Sequence, residues 1–158
     1  MGGARVGMQR WMMRVAGGLL CMFGMTACRP GSREATPAES APPEEYVFGL
    51  LMVGPYNDQG WSQAHYEAGQ YVERQLPGTR MVYVDKVNPA DRPGTTPAQL
   101  AEMLRDQGAR LIIFNSDDMK DGAVEFARAH PDVPVIHASG DNAWPEGRDY
   151  KALPNLAN

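Results

Sequence analysis

The chain has 158 residues, of which 43% are hydrophobic and 22% are charged, close to the averages of soluble globular domains. Length and composition together allow about one domain, and they exclude both a wholly disordered chain and a polytopic membrane protein. The formal net charge is -4, and this acidic excess argues against general nucleic-acid binding.

The start of the chain has the pattern of an export signal. Three arginines are the only charges before the cysteine at position 28: Arg5, Arg10 and Arg14. An uncharged run over 15–27 follows, shorter than the about 20 residues that a membrane-spanning helix needs. A basic segment followed by a short apolar run predicts a signal peptide over residues 1–27.

The signal ends in Met25-Thr26-Ala27-Cys28, which resembles the bacterial lipobox. In that motif the cysteine becomes the lipidated first residue of the mature protein, so we expect Cys28 to carry the lipid, including palmitate. The alternative is an ordinary signal peptide followed by an incidental cysteine. Cys21 and Cys28 are the only cysteines, so the folded part has neither a disulfide framework nor a thiolate metal site.

Residues 28–45 are predicted to form a disordered tether that begins at the lipidated cysteine. The segment contains four prolines among Ser, Ala, Thr and Glu and no large apolar residue, so it cannot bury enough surface to fold. A lipid anchor and a loose tether would hold a soluble α/β domain, residues 46–158, near a membrane while leaving it free to turn.

The folded part begins with a strand and a helix. Residues 46–53 form a near-continuous apolar run, which favours a strand buried on both faces, and Gly54-Pro55 ends it. Apolar side chains then recur at helical spacing over 61–76 and predict an amphipathic helix with this apolar face: Trp61, Ala64, Ala68, Val72 and Leu76. Pro77-Gly78 ends the helix, and residues 80–84 predict a second strand.

Two more helices and two more strands follow. Thr96-Pro97-Ala98-Gln99 has the spacing of a capping box with proline at the first helical position, and it predicts a helix to about residue 107. Residues 111–114 are the clearest buried strand. Asp118 is predicted to cap a helix over 118–130, and residues 133–138 predict a fourth strand.

This alternation is typical of an α/β fold, a Rossmann-like parallel sheet sandwiched by helices. We expect the strand order 2-1-3-4, with the topological switch between the first and third strands. Ligands of such sheets bind beyond the carboxyl ends of the strands at the switch. The loops that matter there are 54–60 and 115–118, with 139–142 next to them.

Acidic and amide side chains are concentrated in the first two of these loops. The two loops supply these candidates: Asn57, Asp58, Gly60, Trp61, Asn115, Ser116, Asp117 and Asp118. Neither loop contains Lys or Arg, and the nearest bases are Lys86 and Lys120, so a phosphate would meet repulsion without a neutralising partner. The predicted ligand is a neutral or cationic small molecule that donates hydrogen bonds, with Trp61 as a face for a planar ring.

Each candidate also has a structural interpretation. Asp58 and Asp118 could be plain helix N-caps, each contributing about 1 kcal/mol, and Trp61 could belong to the core. Neighbouring aspartates in the second loop could suggest a hard metal site, but no dense oxygen-ligand loop is present, so no metal is predicted. His137 is predicted to be a core histidine whose hydrogen bonds are satisfied.

The sequence carries no nucleophile elbow, P-loop or dinucleotide-binding glycine fingerprint. No nucleophile–base pair or metal cluster is recognisable either, so neither an enzyme nor a cofactor is predicted. Two alternatives stay open: an extracytoplasmic hydrolase, whose activity Asp58→Ala would abolish, and a tethered sensory or structural lipoprotein.

One segment resembles a known family. Residues 54–61, Gly-Pro-Tyr-Asn-Asp-Gln-Gly-Trp, followed by Ala64-His65 and Gly69, are similar to the first motif of the basic membrane protein (BMP, PnrA-like) family. These proteins are substrate-binding lipoproteins of ABC transporters, many of them for purine nucleosides or related bases. Further matches extend the resemblance over residues 46–158: Gly108–Ile113, Ala127, His130–Val133, His137–Gly140 and Pro154-Asn155.

The resemblance implies the N-terminal lobe of a type I periplasmic binding protein fold, with a small-molecule ligand in the cleft at the strand ends. It places Asn57, Asp58, Gly60 and Trp61 on one part of the cleft wall, with Ser116 and Asp117 opposite. It also implies an ABC permease as partner, a lipid anchor in the membrane, and a bacterial cell-envelope location facing the periplasm or the exterior.

Family members have two lobes that close on the ligand, so we expect this chain to offer one wall of the cleft, the second lobe being lost, split or supplied by a partner. A pocket normally buries most of its ligand, and we therefore expect weak or undetectable binding by this chain alone. A non-functional truncated lobe is a further alternative.

Overall fold

A computed structural model describes residues 44–158. The predicted signal peptide, Cys28 and the tether up to residue 43 lie outside the described residues. The elements are, in chain order: β1 (Tyr46–Leu51), α1 (Trp61–Gln75), β2 (Thr79–Val84), α2 (Pro97–Asp106), β3 (Ala109–Phe114), a 3-10 turn (Asp117–Met119), α3 (Lys120–Ala129), β4 (Val135–His137) and β5 (Leu156–Ala157). None of the helices within 44–158 is long and apolar enough to cross a bilayer.

The five strands form one parallel sheet in the order β2-β1-β3-β4-β5. The predicted α/β class and the predicted order of the first four strands are confirmed. The last strand was not predicted, because it has only two residues, Leu156 and Ala157, which pair with Val135 and Ile136. The topological switch lies between β1 and β3, as expected.

Helices cover both faces of the sheet, α1 on one and α2 with α3 on the other. Gly49 faces α2, since a Cβ placed on it would lie 3.1 Å from Leu104 Cδ1. Met81, which pairs with Phe48, faces α1, because a Cβ placed on Gly69 would lie 2.1 Å from the Met81 sulfur. Successive strand residues point to opposite faces, so the two helical layers lie on opposite sides of the sheet.

The larger core lies between the sheet and the pair α2–α3. These side chains are among its fully buried members: Leu51, Leu104, Ile112, Phe114, Ala123 and Phe126. The rings of Phe114 and Phe126 are tilted against each other with centroids 6.4 Å apart. This packing fixes β1 and β3 side by side, and therefore also the loops that leave their carboxyl ends.

The helix α1 presents a different face to the sheet from the one predicted. Its buried residues are Ser62 and Gly69, whereas Trp61 is 51% exposed and Leu76 is 56% exposed. The predicted apolar stripe was therefore wrong as a core face. Small residues face the sheet because Met81 already fills the space above it at Gly69.

The start of α2 is the predicted capping box. The Gln99 backbone N–H donates to Thr96 Oγ1 at 3.2 Å, and the Thr96 backbone N–H donates to Gln99 Oε1 at 3.0 Å. The helix then runs from Pro97 to Asp106, and Gly108 follows it with φ of 96°, a left-handed conformation that glycine adopts without strain.

The prediction that Asp118 caps the third helix was wrong. Ser116 is the N-cap of the 3-10 turn, and its hydroxyl accepts from the Asp118 backbone N–H at 3.3 Å. The helix α3 begins only at Lys120, and no side-chain hydrogen bond caps it at Met119. The inserted 3-10 turn leaves the Asp118 carboxylate without a capping role.

Candidate functional site

The carboxyl ends of β1 and β3 are joined by side-chain hydrogen bonds. The Trp61 indole Nε1–H donates to the backbone oxygen of Asn115 at 2.6 Å. The Asn115 side chain accepts, through Oδ1, from the Val53 backbone N–H at 2.9 Å. Asn115 itself is fully buried. The loop after β1 and the loop after β3 therefore meet at the topological switch, as the sequence predicted.

Asp58 is bound to the start of α1. Its Oδ1 accepts from the backbone N–H groups of Gly60 at 2.8 Å and Gln63 at 3.0 Å, and its Oδ2 accepts from that of Ser62 at 3.1 Å. The Gln63 bond is the largest cause that holds the pKa of the Asp58 carboxyl below its usual value, with the Gly60 and Ser62 bonds adding to it against a desolvation effect. The Asp58 carboxylate therefore caps the first turn of α1, although Gly60 occupies the N-cap position.

The other candidates of the first loop are more open. Asn57 and Gly60 are exposed, and a Cβ placed on Gly60 would come no closer than 3.7 Å to another group. Trp61 is half-exposed, and its ring packs against that of His65 with centroids 4.5 Å apart. The interpretation of Trp61 as a core residue was wrong, and its indole is available at the surface.

The loop after β3 is tied to the loop after β4 by His137. The ring is fully buried, its Nε2 lies 3.0 Å from the backbone oxygen of Ser116, and its Nδ1 lies 2.5 Å from Asn142 Oδ1. The predicted core position of His137 is confirmed, and each ring nitrogen lies within hydrogen-bond distance of an oxygen. Gly140 allows this arrangement, because a Cβ placed there would lie 1.9 Å from His137 Nδ1.

A hollow of about 300 Å³ opens between these two loops. Its lining includes Asp117 and Ser139 with Gly140, Asp141, Trp144, Arg148 and Asp149. Asp117 thus faces a cavity, whereas Asn57, Asp58, Gly60 and Trp61 are not among the residues that line this hollow. Whether the six predicted binding residues act together stays a prediction.

The hollow contains a basic residue that the sequence analysis missed. Arg148 donates to Asp149 Oδ2 at 3.2 Å, and Lys120 Nζ lies 2.5 Å from the same oxygen. Hydrogen bonds from Lys120 and then Arg148 lower the pKa of Asp149 to about 2. Arg148 could have been found from its position, because it lies in the same strand-end loop as residues 139–142. The sequence analysis took that loop only as far as Asn142.

A larger cavity, of about 610 Å³, lies beside the loop after β2. Its walls include Val87, Pro89, Pro97 and Leu100 with Arg92 and Asp118. None of the six predicted binding residues lines it. The sequence analysis noted Lys86 in this loop and missed Arg92, although the loop also leaves the carboxyl end of a strand.

Two further properties bear on the chemistry of the edge. The buried Asn115 Nδ2 has no acceptor within residues 44–158, which leaves one polar group of the switch point unsatisfied. In the same part of the chain, no group of three or more His, Cys, Asp or Glu side chains is arranged to hold a metal ion.

Comparisons with known proteins find similarity among solved structures, but none among family models or curated proteins. No protein-family model matches the chain, and a search of curated proteins finds no match. Among solved structures, an ABC transporter system solute-binding protein from Conexibacter woesei DSM 14684 is similar over 58% of this chain, with 15% identity and a TM-score of 0.49. The similar region spans 29% of that structure's chain. The assignment of the fold therefore rests on the sheet and helices described above.

Proposed function

We propose that the chain is a substrate-binding lipoprotein of an ABC importer, or a part of one, and that it binds a small polar solute at the carboxyl edge of the sheet. The observation that carries the proposal is the hydrogen bond from Trp61 to Asn115. It holds the loops after β1 and β3 together at the topological switch, where open α/β sheets bind their ligands.

The charges at this edge favour a ligand that donates hydrogen bonds. Asp117 and Asp141 line the hollow, and the cation there, Arg148, is paired with Asp149. Ribose hydroxyls and the amino groups of a base are donors that carboxylates accept. With the resemblance of residues 54–61 to the BMP family, these features support a purine nucleoside or related base as the solute.

The candidate residues take different roles in this proposal. The half-exposed Trp61 offers its face to the base, and Asp117 accepts from a hydroxyl or amino group. Ser116 and Gly60 shape the wall, and the exposed Asn57 amide adds a polar contact. Asp58, whose oxygens already accept three backbone N–H groups, positions the start of α1 and so positions Trp61. A lipid on Cys28 would hold the domain beside its permease.

The test is an NMR titration of the isotope-labelled full chain, in detergent micelles, with adenosine and inosine. Because the hollow is at the small end of ligand pockets, about 300 Å³, we expect weak binding that needs millimolar nucleoside. The indole N–H signal of Trp61 and the amide signals of Ser116 and Asp117 should shift. The amide of Asp132, which follows α3 at the opposite edge of the sheet, should not.

A pair of matched variants sharpens the test. Asp117→Asn should weaken nucleoside binding about tenfold, because the charged acceptor is replaced by a neutral one that forms a weaker hydrogen bond. Asp132→Asn removes the same charge from an exposed site and should leave binding unchanged. Signals of Trp61 and Asp117 that stay constant in millimolar nucleoside would refute the proposal, as would equal affinities of the two variants.

A further inference from the structure

The cavity of about 610 Å³ beside the loop after β2 has the size and lining of a small-molecule site. It is walled by the apolar side chains of Val87, Pro89, Pro97 and Leu100. Val87 and Leu100 belong to the buried core, so this wall is continuous with the packed interior of the domain. A ligand with an apolar body would find a preformed surface here.

The loop that forms the cavity is held by its own hydrogen bonds. The Val87 backbone N–H donates to Met52 O at 2.9 Å, and Asn88 Nδ2 donates to Val53 O at 2.9 Å, which tie the loop to the end of β1. The Arg92 backbone N–H donates to Asn88 O at 3.0 Å and closes a turn within the loop. The cavity wall is thus built before any ligand arrives, which lowers the entropic cost of binding.

Arg92 is a positioned cation on this wall. Its Nε and Nη2 donate to the backbone oxygen of Asp85 at 3.1 and 3.0 Å, which fixes the plane of the guanidinium. Within residues 44–158, Arg92 belongs to none of the ion pairs. Nη1 is therefore free to donate to an anion, and the nearby N-terminus of α2, at Pro97, adds a favourable field.

Asp118 supplies the opposite charge on the same cavity. Its backbone N–H donates to the Ser116 hydroxyl, and its exposed carboxylate accepts no hydrogen bond in the described part of the chain. Within residues 44–158 the cavity thus combines a cation outside any ion pair, a carboxylate outside any ion pair and an apolar wall, a pattern that fits a zwitterion with an apolar side chain. A phosphate or dicarboxylate would be repelled by Asp118.

We infer that this cavity is a second binding site, separate from the proposed nucleoside site, for an α-amino acid with an aliphatic side chain. The carboxylate of the amino acid pairs with Arg92, its ammonium group pairs with Asp118, and its side chain packs on Val87 and Leu100. The inference does not depend on the proposed function, because the two sites share none of their named residues.

The test adds four compounds to the full chain in micelles, three of which each lack one feature of the first, and measures NMR shifts of the Val87, Thr95 and Leu100 amides. L-leucine is the complete ligand, isocaproate lacks the ammonium group, isoamylamine lacks the carboxylate, and L-asparagine replaces the apolar side chain. We expect L-leucine to bind most tightly and each of the other three to bind more weakly. If any of the other three compounds binds as tightly as L-leucine, or more tightly, the assignment is overturned.

Two aspartate variants give a result that an unspecific charge effect would not produce. Asp118→Asn should weaken L-leucine binding about twofold to fivefold, since an exposed ion pair is lost, and should strengthen isocaproate binding by removing repulsion. Asp121→Asn, an exposed aspartate in the first turn of α3, should change neither. If Asp118→Asn changes the affinities for L-leucine and isocaproate in the same direction, the proposed site is contradicted.

Arg92→Gln provides the largest effect. It should weaken L-leucine about tenfold or more, and it should leave isoamylamine unaffected. If this variant does not fold, because the bonds to Asp85 are lost, the opposite signs expected for Asp118→Asn decide the question alone. Shifts of Trp61 on nucleoside addition report on the other site, so each proposal can fail separately.

Discussion

The two faces of the sheet are built differently. The face under α2 and α3 is filled by large side chains, including Leu104 and Phe126, which are almost completely buried. The face under α1 is closed by small residues, Ser62 and Gly69, against Met81. On that side Ile113 and Ile136 stay half-buried, because α1 packs mainly on β2 and leaves β3 and β4 partly uncovered.

The two faces therefore differ in how they stabilise the domain and in which side chains they leave exposed. Packing under α2 and α3 holds β1 and β3 in register. It therefore also fixes the position of the loops that leave these strands. On the other face, the helix α1 turns Trp61 and Tyr71 outward, 51% and 58% exposed. We expect the α2–α3 face, which holds the main core cluster, to contribute more to stability than the α1 face, whose helix begins with the half-exposed Trp61.

The strongest test of the comparison exchanges a leucine for alanine in each layer. Leu104→Ala, on the filled face, should lower the free energy of unfolding by about 2–5 kcal/mol, because it leaves a cavity in the core. Leu76→Ala, at the exposed end of α1, should change it by less than about 0.5 kcal/mol. Urea denaturation measures both, and comparable losses would show that α1 buries more than the structure indicates.

The close contact of α1 with the sheet gives a second test. Gly69→Ala should lower the free energy of unfolding by about 1 kcal/mol, since crowding against Met81 outweighs the helix propensity that alanine gains. Denaturant unfolding of the variant gives the value. The double variant with Met81→Ala should recover part of the loss, and a stabilising Gly69→Ala would contradict the packing of this face.

The capping box sharpens the contrast between the helix starts. Thr96→Ala should destabilise the domain by about 1 kcal/mol, because the Gln99 backbone N–H loses its acceptor. The loss should appear in thermal unfolding as a lower Tm. Thr95→Ala is the matched control, as Thr95 is exposed and precedes the box, and an equal effect of the two would speak against the cap.

The smallest expected effect concerns the ion pair that joins α3 to the loop after β4. The pKa of Asp149 is lowered from its ordinary value of 3.8 to about 2, mainly by Lys120. Its stabilisation is therefore fully present above 3.8 and is lost as the pH falls through about 2. Asp149→Asn should be less stable than the natural chain near neutral pH, and the difference should vanish in strong acid.

Chemical denaturation over a series of pH values measures this difference. Glu146→Gln, in the same loop, is the control, because Glu146 is exposed and belongs to none of the ion pairs within residues 44–158. A difference between Asp149→Asn and the natural chain that stays constant with pH would show that the ion pair does not cause it.

Much of the fold could be predicted because the decisive signals are local. The box at Thr96 and Gln99 marks the start of α2, and the apolar run at 111–114 marks the centre of the sheet. The buried face of α1 could not be predicted, since Trp61, Ala64 and Ala68 have helical spacing whichever side the sheet lies on. The strand β5 was not predicted, because two residues are too few to show a periodic pattern.

The candidate site was predicted less completely than the fold. Strand-end position correctly placed the loops of Trp61 and Asn115 next to each other, because parallel strands end at one edge. It left open whether Asp58 caps a helix or contacts a ligand, and it did not show that Arg92 and Arg148 would turn toward cavities. Long arginine side chains reach across loops, and their direction depends on partners far away in the chain.

By itself, the sequence determined the three α-helices and the first four strands, the order of those strands, and the edge at which polar loops gather. It did so because periodicity, caps and the handedness of crossovers act within one supersecondary unit. Tertiary structure alone decided which face of α1 is buried, that Asp118 faces a cavity instead of capping a helix, and which charges remain unpaired. Those outcomes depend on space and partners that only the packed sheet provides.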